Sequence, residues 1–133
     1  MRSERHAGSI IMTVTQLKLL IIYSTGMLLG QLLFKLAANG PGGAAERPFV
    51  DKALGILLNG YFITAAALYL LLSVMWVWIL QLAPISRAYP FVAINFALVA
   101  IMGVVFFSER LAPLNWAGVA LIFLGVVLVT LGD

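Results

Sequence analysis

Four long stretches of this chain, at about 17–38, 54–82, 89–107 and 114–131, are almost wholly apolar. A helix that crosses the hydrocarbon core of a bilayer needs about 20 such residues in a row. Backbone polar groups find no water there, so a crossing segment must satisfy its own hydrogen bonds, as a helix does. Each stretch therefore reads as a transmembrane helix. Composition agrees: 63% of residues are hydrophobic and 10% charged, against about 45–50% apolar in soluble domains. The mean hydropathy is +1.09. The second run is longer than a bilayer requires, so tilt or protrusion is expected of it.

The connections set the order of the helices. Residues 1–16 form a short polar tail of mixed charge, with no small-residue cleavage signature that would mark a removable leader. ANGPGGAAERPFVDK at 38–52 is the one real loop, its Gly and Pro stopping the helices on either side. Pro84 and Ser86 mark a tight turn between spans two and three, and 109–113 another between three and four. Short turns make neighbouring helices antiparallel. The expected fold is an all-α membrane protein, a single transmembrane domain over 17–133 built as a compact antiparallel four-helix bundle. Trp76, Trp78, Tyr89 and Trp116 fall near span ends, where rings with one wet and one apolar edge are favoured.

Charge does not orient the chain. Arg2, Arg5, Lys18 and Arg87 share one membrane face by counting crossings, and Lys35, Arg47, Lys52 and Arg110 share the other. The positive-inside rule returns a tie. The formal charge of +3 rests on few residues and does not argue for a nucleic-acid partner; membrane lipids are the expected contact of these cations. With no cysteine and one histidine, His6, in the polar tail, the chain lacks raw material for thiolate or metal chemistry. Neither a P-loop nor HExxH nor a nucleophile elbow is present. No catalytic residue, metal site or cofactor is expected, and the chain does not read as an enzyme.

A few polar residues remain inside or beside the spans. In SRAYPFVAIN (86–95), Pro90 suits the first position of a helix, where its missing N–H costs nothing. Span three is thus expected to begin at Tyr89 or Pro90, with Arg87 just ahead of it. A helix N-terminus attracts anions, and a guanidinium adds a bidentate fork for phosphate; the plainer reading is an arginine snorkelling to headgroups. Lys35 follows Gln31 by four residues on one helix face, either lining a polar path or snorkelling. Glu109, at the end of span three, shares the membrane face of Lys35 and could pair with it or with Arg110. Asn95 in span three must find partners in hydrocarbon, gluing helices or lining a cavity. Gly26 and Gly30 form a GxxxG match, and Gly118, Gly125 and Gly132 recur every seven residues. Both patterns permit close backbone approach, within the bundle or between subunits.

Together, GQLLFKLA (30–37) and LQLAPISRAYPFVAINFALVAIMGVVFFSERLAPLNWAGVALIFLGVVLV (80–129) resemble the four-helix members of the drug/metabolite transporter superfamily. More closely, they are similar to the small EamA-like subunits that flip aminoarabinose–undecaprenyl phosphate. The resemblance rests on Gly30, Gln31, Lys35, Ala88, Tyr89, Pro90, Asn95, Glu109, Trp116 and Gly118, and runs over about 17–131. It implies a half-transporter working as a homodimer or as a heterodimer with a similar four-helix subunit, with both termini cytoplasmic in a bacterial inner membrane. It also implies a lipid-linked anionic substrate, for which the matched Lys35, Gln31, Tyr89, Asn95 and Glu109 are candidate binding residues; Arg87 joins them on its own chemistry, as a guanidinium beside the start of span three. Two departures bear on substrate. Where the small multidrug resistance branch carries a glutamate in span one, counting back from Lys35 gives Met27, which argues against proton/drug antiport by that route. Arg87 is not a constant of the aminoarabinose subunits, which leaves the headgroup open. The rival readings are a small multidrug-type exporter and a non-transporting membrane partner of a glycosyltransferase.

Overall fold

The computed structural model of the chain describes residues 13–40 and 48–131. All regular structure among them is helical, in five helices: α1 (Val14–Ala38), α2 (Phe49–Leu57), α3 (Gly60–Leu82), α4 (Ile85–Phe107) and α5 (Pro113–Leu131). Three of these, α1, α3 and α4, are long and apolar enough to cross a membrane, and α5 is apolar but shorter.

Local chemistry explains where the helices begin. α1 starts at Val14, three residues before the apolar run at 17–38, because Thr13 and Gln16 close a reciprocal capping box. Thr13 N–H donates to Gln16 Oε1 at 2.9 Å, and Gln16 N–H to Thr13 Oγ1 at 3.3 Å. The first twelve residues of the expected tail lie outside the described residues, and Val14–Gln16 of it are helical.

The run at 54–82 is not one helix. It breaks at Leu58–Asn59, where Asn59 N–H donates to the Ile56 carbonyl at 3.0 Å and tightens the last turn of α2. The Asn59 side chain then caps α3, its Oδ1 accepting from Tyr61 N–H at 2.9 Å. What remains, α3, has 23 residues, about 34 Å at 1.5 Å per residue. That matches a bilayer core, so the excess length resolves into a separate helix rather than into tilt.

Span three needs a second correction. α4 begins at Ile85 with Pro84 at its N-cap, and Pro90 is its sixth residue. The extended backbone of Pro84 (φ −64°, ψ 145°) launches the helix, and the Pro84 carbonyl accepts from both Arg87 N–H (3.0 Å) and Ala88 N–H (3.1 Å). Pro84 thus takes the starting role that the sequence offered to Pro90. An N–H at position 90 would donate to the Ser86 carbonyl; proline has none.

By its internal contacts the chain divides into two units: Tyr23–Trp78, and Met1–Ile22 together with Ile79–Asp133. In the first, α1 and α3 run antiparallel. Their contacts descend along α3 as they ascend along α1: Tyr23 stacks on Trp76 with ring centroids 5.0 Å apart, Gly26 faces Leu72, and Phe34 meets both Tyr69 (5.3 Å) and Phe62 (5.7 Å). In the second unit α4 and α5 pack together across the short 108–112 connection, and Gln16 Nε2 donates to the Leu82 carbonyl.

The pattern of burial is that of a protein in lipid. Side chains at the helix contacts include the small Ala37, Ala65, Ala88 and Ala97, each buried, whereas Leu70, Leu71 and Val74 are more than 70% exposed. Water would penalise that arrangement by roughly 25 cal/mol for each Å² of apolar surface left exposed. Lipid tails do not, and helices there associate through small residues that let backbones approach. Hydroxyls turn back into their own helices: Thr64 Oγ1 donates to the Gly60 carbonyl and Ser73 Oγ to the Tyr69 carbonyl, both at 2.8 Å.

Candidate functional site

In the Tyr23–Trp78 unit one phenol joins α1 to α3. Gln31 Nε2 donates to the Tyr69 hydroxyl at 2.8 Å, and that hydroxyl lies 3.5 Å from the Met27 carbonyl. Gly30 is what allows Tyr69 to come so close: it is buried, and a Cβ there would overlap the ring edge at Cε2. Gly26 has a similar effect on the preceding turn, where a Cβ would sit 2.8 Å from Leu72 Cδ2. The GxxxG face of α1 thus lies against α3. Lys35, one turn beyond Gln31, is exposed in the last turn of α1, where a cation complements the partial negative charge of the helix end.

Tyr69 was not singled out by sequence reasoning, although a signal existed. A phenol in the middle of an uncharged apolar run has to find a hydrogen-bond partner, and Gln31 in the neighbouring span was the obvious candidate.

In the other unit Arg87 lies within the first turn of α4 rather than ahead of it, half-buried, in a turn that holds no acidic residue. A cation there opposes the helix dipole, so the turn is electrostatically suited to an incoming anion. Tyr89, two residues on, is 57% exposed, and Asn95 is 5% exposed. Glu109 follows the helix end, where Ser108 takes a left-handed conformation (φ 52°, ψ 32°) and Glu109 N–H donates to the Gly103 carbonyl at 3.1 Å. Its carboxylate folds back over Gly103, close enough that a Cβ at 103 would stand 2.6 Å from Oε2.

The predicted residues therefore divide. Gln31, Lys35, Gly26 and Gly30 belong to one unit, and Arg87, Tyr89, Asn95, Glu109, Gly118 and Gly125 to the other. A Cβ at Gly118 or Gly125 would meet nothing within 4 Å. Gly132 lies outside the described residues. Among the described residues no group of three or more His, Cys, Asp or Glu side chains comes together as a metal site would require.

These features define a multi-pass α-helical membrane protein. Over 112 residues, 84% of this chain and 93% of the relative, it is 33% identical to the probable 4-amino-4-deoxy-L-arabinose-phosphoundecaprenol flippase subunit ArnE of Yersinia pestis (strain Pestoides F). It is also 37% identical over 71 residues to the protein of that name from Proteus mirabilis (strain HI4320), covering 53% of this chain and 63% of the relative. For the Photorhabdus laumondii protein of that name the figures are 34% over 73 residues, 55% and 65%. The aligned region thus spans slightly under two thirds of the Proteus and Photorhabdus proteins. No family model and no solved structure matches the chain. The chain belongs to the family of ArnE-like flippase subunits, small relatives of the drug/metabolite transporters.

Proposed function

We propose that this chain is a subunit of a flippase that moves a polyprenyl-phosphate-linked sugar, or a similar anionic lipid, across a bacterial inner membrane. The observation that carries the reading is the 33% identity extending over 93% of a relative named for that task. In this reading α5 adds a fourth crossing to those of α1, α3 and α4, both termini are cytoplasmic, and counting crossings along the sequence assigns Lys35 and Arg87 to opposite membrane faces.

Arg87 receives the lipid phosphate at one face, helped by the first-turn N–H groups of α4 and by the exposed Tyr89. Lys35 receives it at the other, with Gln31 and Tyr69 one turn deeper. Asn95 and Glu109 serve the sugar headgroup, and the polyprenyl tail stays in lipid throughout. A cation at each stop lowers the cost of carrying a phosphate to the membrane core. A partner subunit of similar build, a second copy or a related chain, completes the transporter. The open surface at Gly118 and Gly125 suits close approach of that partner.

Mass spectrometry of lipid co-purifying with the chain in a mild detergent tests the substrate class. A polyprenyl-phosphate sugar, enriched over bulk phospholipid and reduced in Arg87→Ala, is the expected result; bulk phospholipid alone would count against the proposal.

A further inference from the structure

The helix α2 has a task that neither the spans nor the proposed substrate site accounts for. Its sequence is FVDKALGIL, none of its residues is buried, and Phe49, Val50, Leu54 and Leu57 are all more than half exposed. At about 100° per residue, Phe49, Val50, Ala53, Leu54, Ile56 and Leu57 fall on one arc, which Leu58 extends. Asp51, Lys52 and Gly55 fall on the remainder. The segregation is complete. Nine residues extend about 14 Å, too short to cross a bilayer.

The chain path says where this helix lies. α1 and α3 are antiparallel, so the end of α1 and the start of α3 share one end of the pair. Gly40 and Asn59 meet there, a Cβ at Gly40 standing 3.0 Å from Asn59 Nδ2. α2 enters α3 through only Leu58 and Asn59, so it is held at the level where the membrane crossing starts. Tyr61 and Ile63 at the head of α3 are themselves more than half exposed, so apolar surface suited to lipid begins within a few residues of α2.

We infer that α2 is an interfacial anchor, lying along the membrane surface with its Phe49–Val50–Leu54–Leu57 face sunk into the boundary between headgroups and acyl chains. A short helix with segregated faces behaves in this way, its apolar side reaching about 5–10 Å into the interface. Asp51 and Lys52 cancel in charge, so apolar burial rather than headgroup attraction holds it, and neutral lipid suffices. This inference rests only on the chain being a multi-pass membrane protein, not on the proposed substrate.

The absence of native cysteine makes single-site spin labelling clean. The full chain carrying V50C, L54C or L57C, and D51C for contrast, is reconstituted in phosphatidylcholine vesicles and in vesicles containing phosphatidylglycerol. Labels at 50, 54 and 57 are expected to collide severalfold more with oxygen than with a water-soluble nickel chelate, and the label at 51 to show the reverse, in both vesicle types. Adding V50E and L54E to L57C should bring that label into water. The inference is overturned if the apolar-arc labels are as water-accessible as position 51. It is equally overturned if they are shielded from both reagents, which would mean a covering protein surface, or if they immerse only in the anionic vesicles.

Discussion

The side-chain amide of Gln31 donates to the Tyr69 hydroxyl at 2.8 Å, tying α1 to α3 through a polar contact in an apolar surround. The Phe34 ring stacks on the same tyrosine at 5.3 Å, so ring packing and hydrogen bond can be separated by mutation. Tyr69→Phe keeps the stack and removes the hydroxyl. The expected loss is about 1 kcal/mol, typical of interhelical hydrogen bonds in membranes. A double-mutant cycle with Gln31→Ala, read by unfolding in mixed micelles, should return a coupling energy of about that size.

Two glycine patterns should behave oppositely. Gly30→Ala drives a methyl group into the Tyr69 ring and is expected to cost about 1–3 kcal/mol in stability of the isolated chain. Gly26→Ala meets only the tip of Leu72, a flexible side chain, and should cost less. Gly118→Ala and Gly125→Ala fill open space and should raise that stability by at most about 1 kcal/mol each, while weakening subunit association in a cross-linking or energy-transfer assay.

Pro90 sits inside α4 and denies the Ser86 carbonyl its helical donor. Pro90→Ala should supply that bond and stabilise α4 by up to about 3 kcal/mol. Amide exchange at position 90 and neighbouring residues, measured in detergent micelles, would show the added protection. An unchanged or lowered stability would mean that the surroundings are shaped to the proline.

The apolar runs in the sequence were enough to place α1, α3 and α4 as membrane helices, because a span is set by length and hydropathy with little help from neighbours. Helix ends were harder to read, since caps decide them. Pro84 and Pro90 are equally plausible starts by composition, and only the backbone path shows that Pro84 takes that role. Asn59, one polar residue within an apolar run, looked like a piece of a long span, yet its side chain caps α3 and frees α2 as a separate helix. Of the candidate site, Gln31, Lys35 and Arg87 were legible as polar residues in costly places. Tyr69 was legible only as a phenol in need of a partner; that it meets Gln31 is set by how α1 packs on α3.

Translocation itself decides whether this chain is a flippase subunit. The chain, with its partner subunit, is reconstituted into vesicles containing a fluorescent polyprenyl-phosphate-linked aminosugar, and the fraction reaching the far leaflet is followed over time. The wild type is expected to translocate, and Arg87→Ala and Lys35→Ala each to lose at least about tenfold in rate, equivalent to about 1.4 kcal/mol at each stop. Absence of translocation by the wild-type pair, or rates unchanged in both variants, would contradict the proposed function.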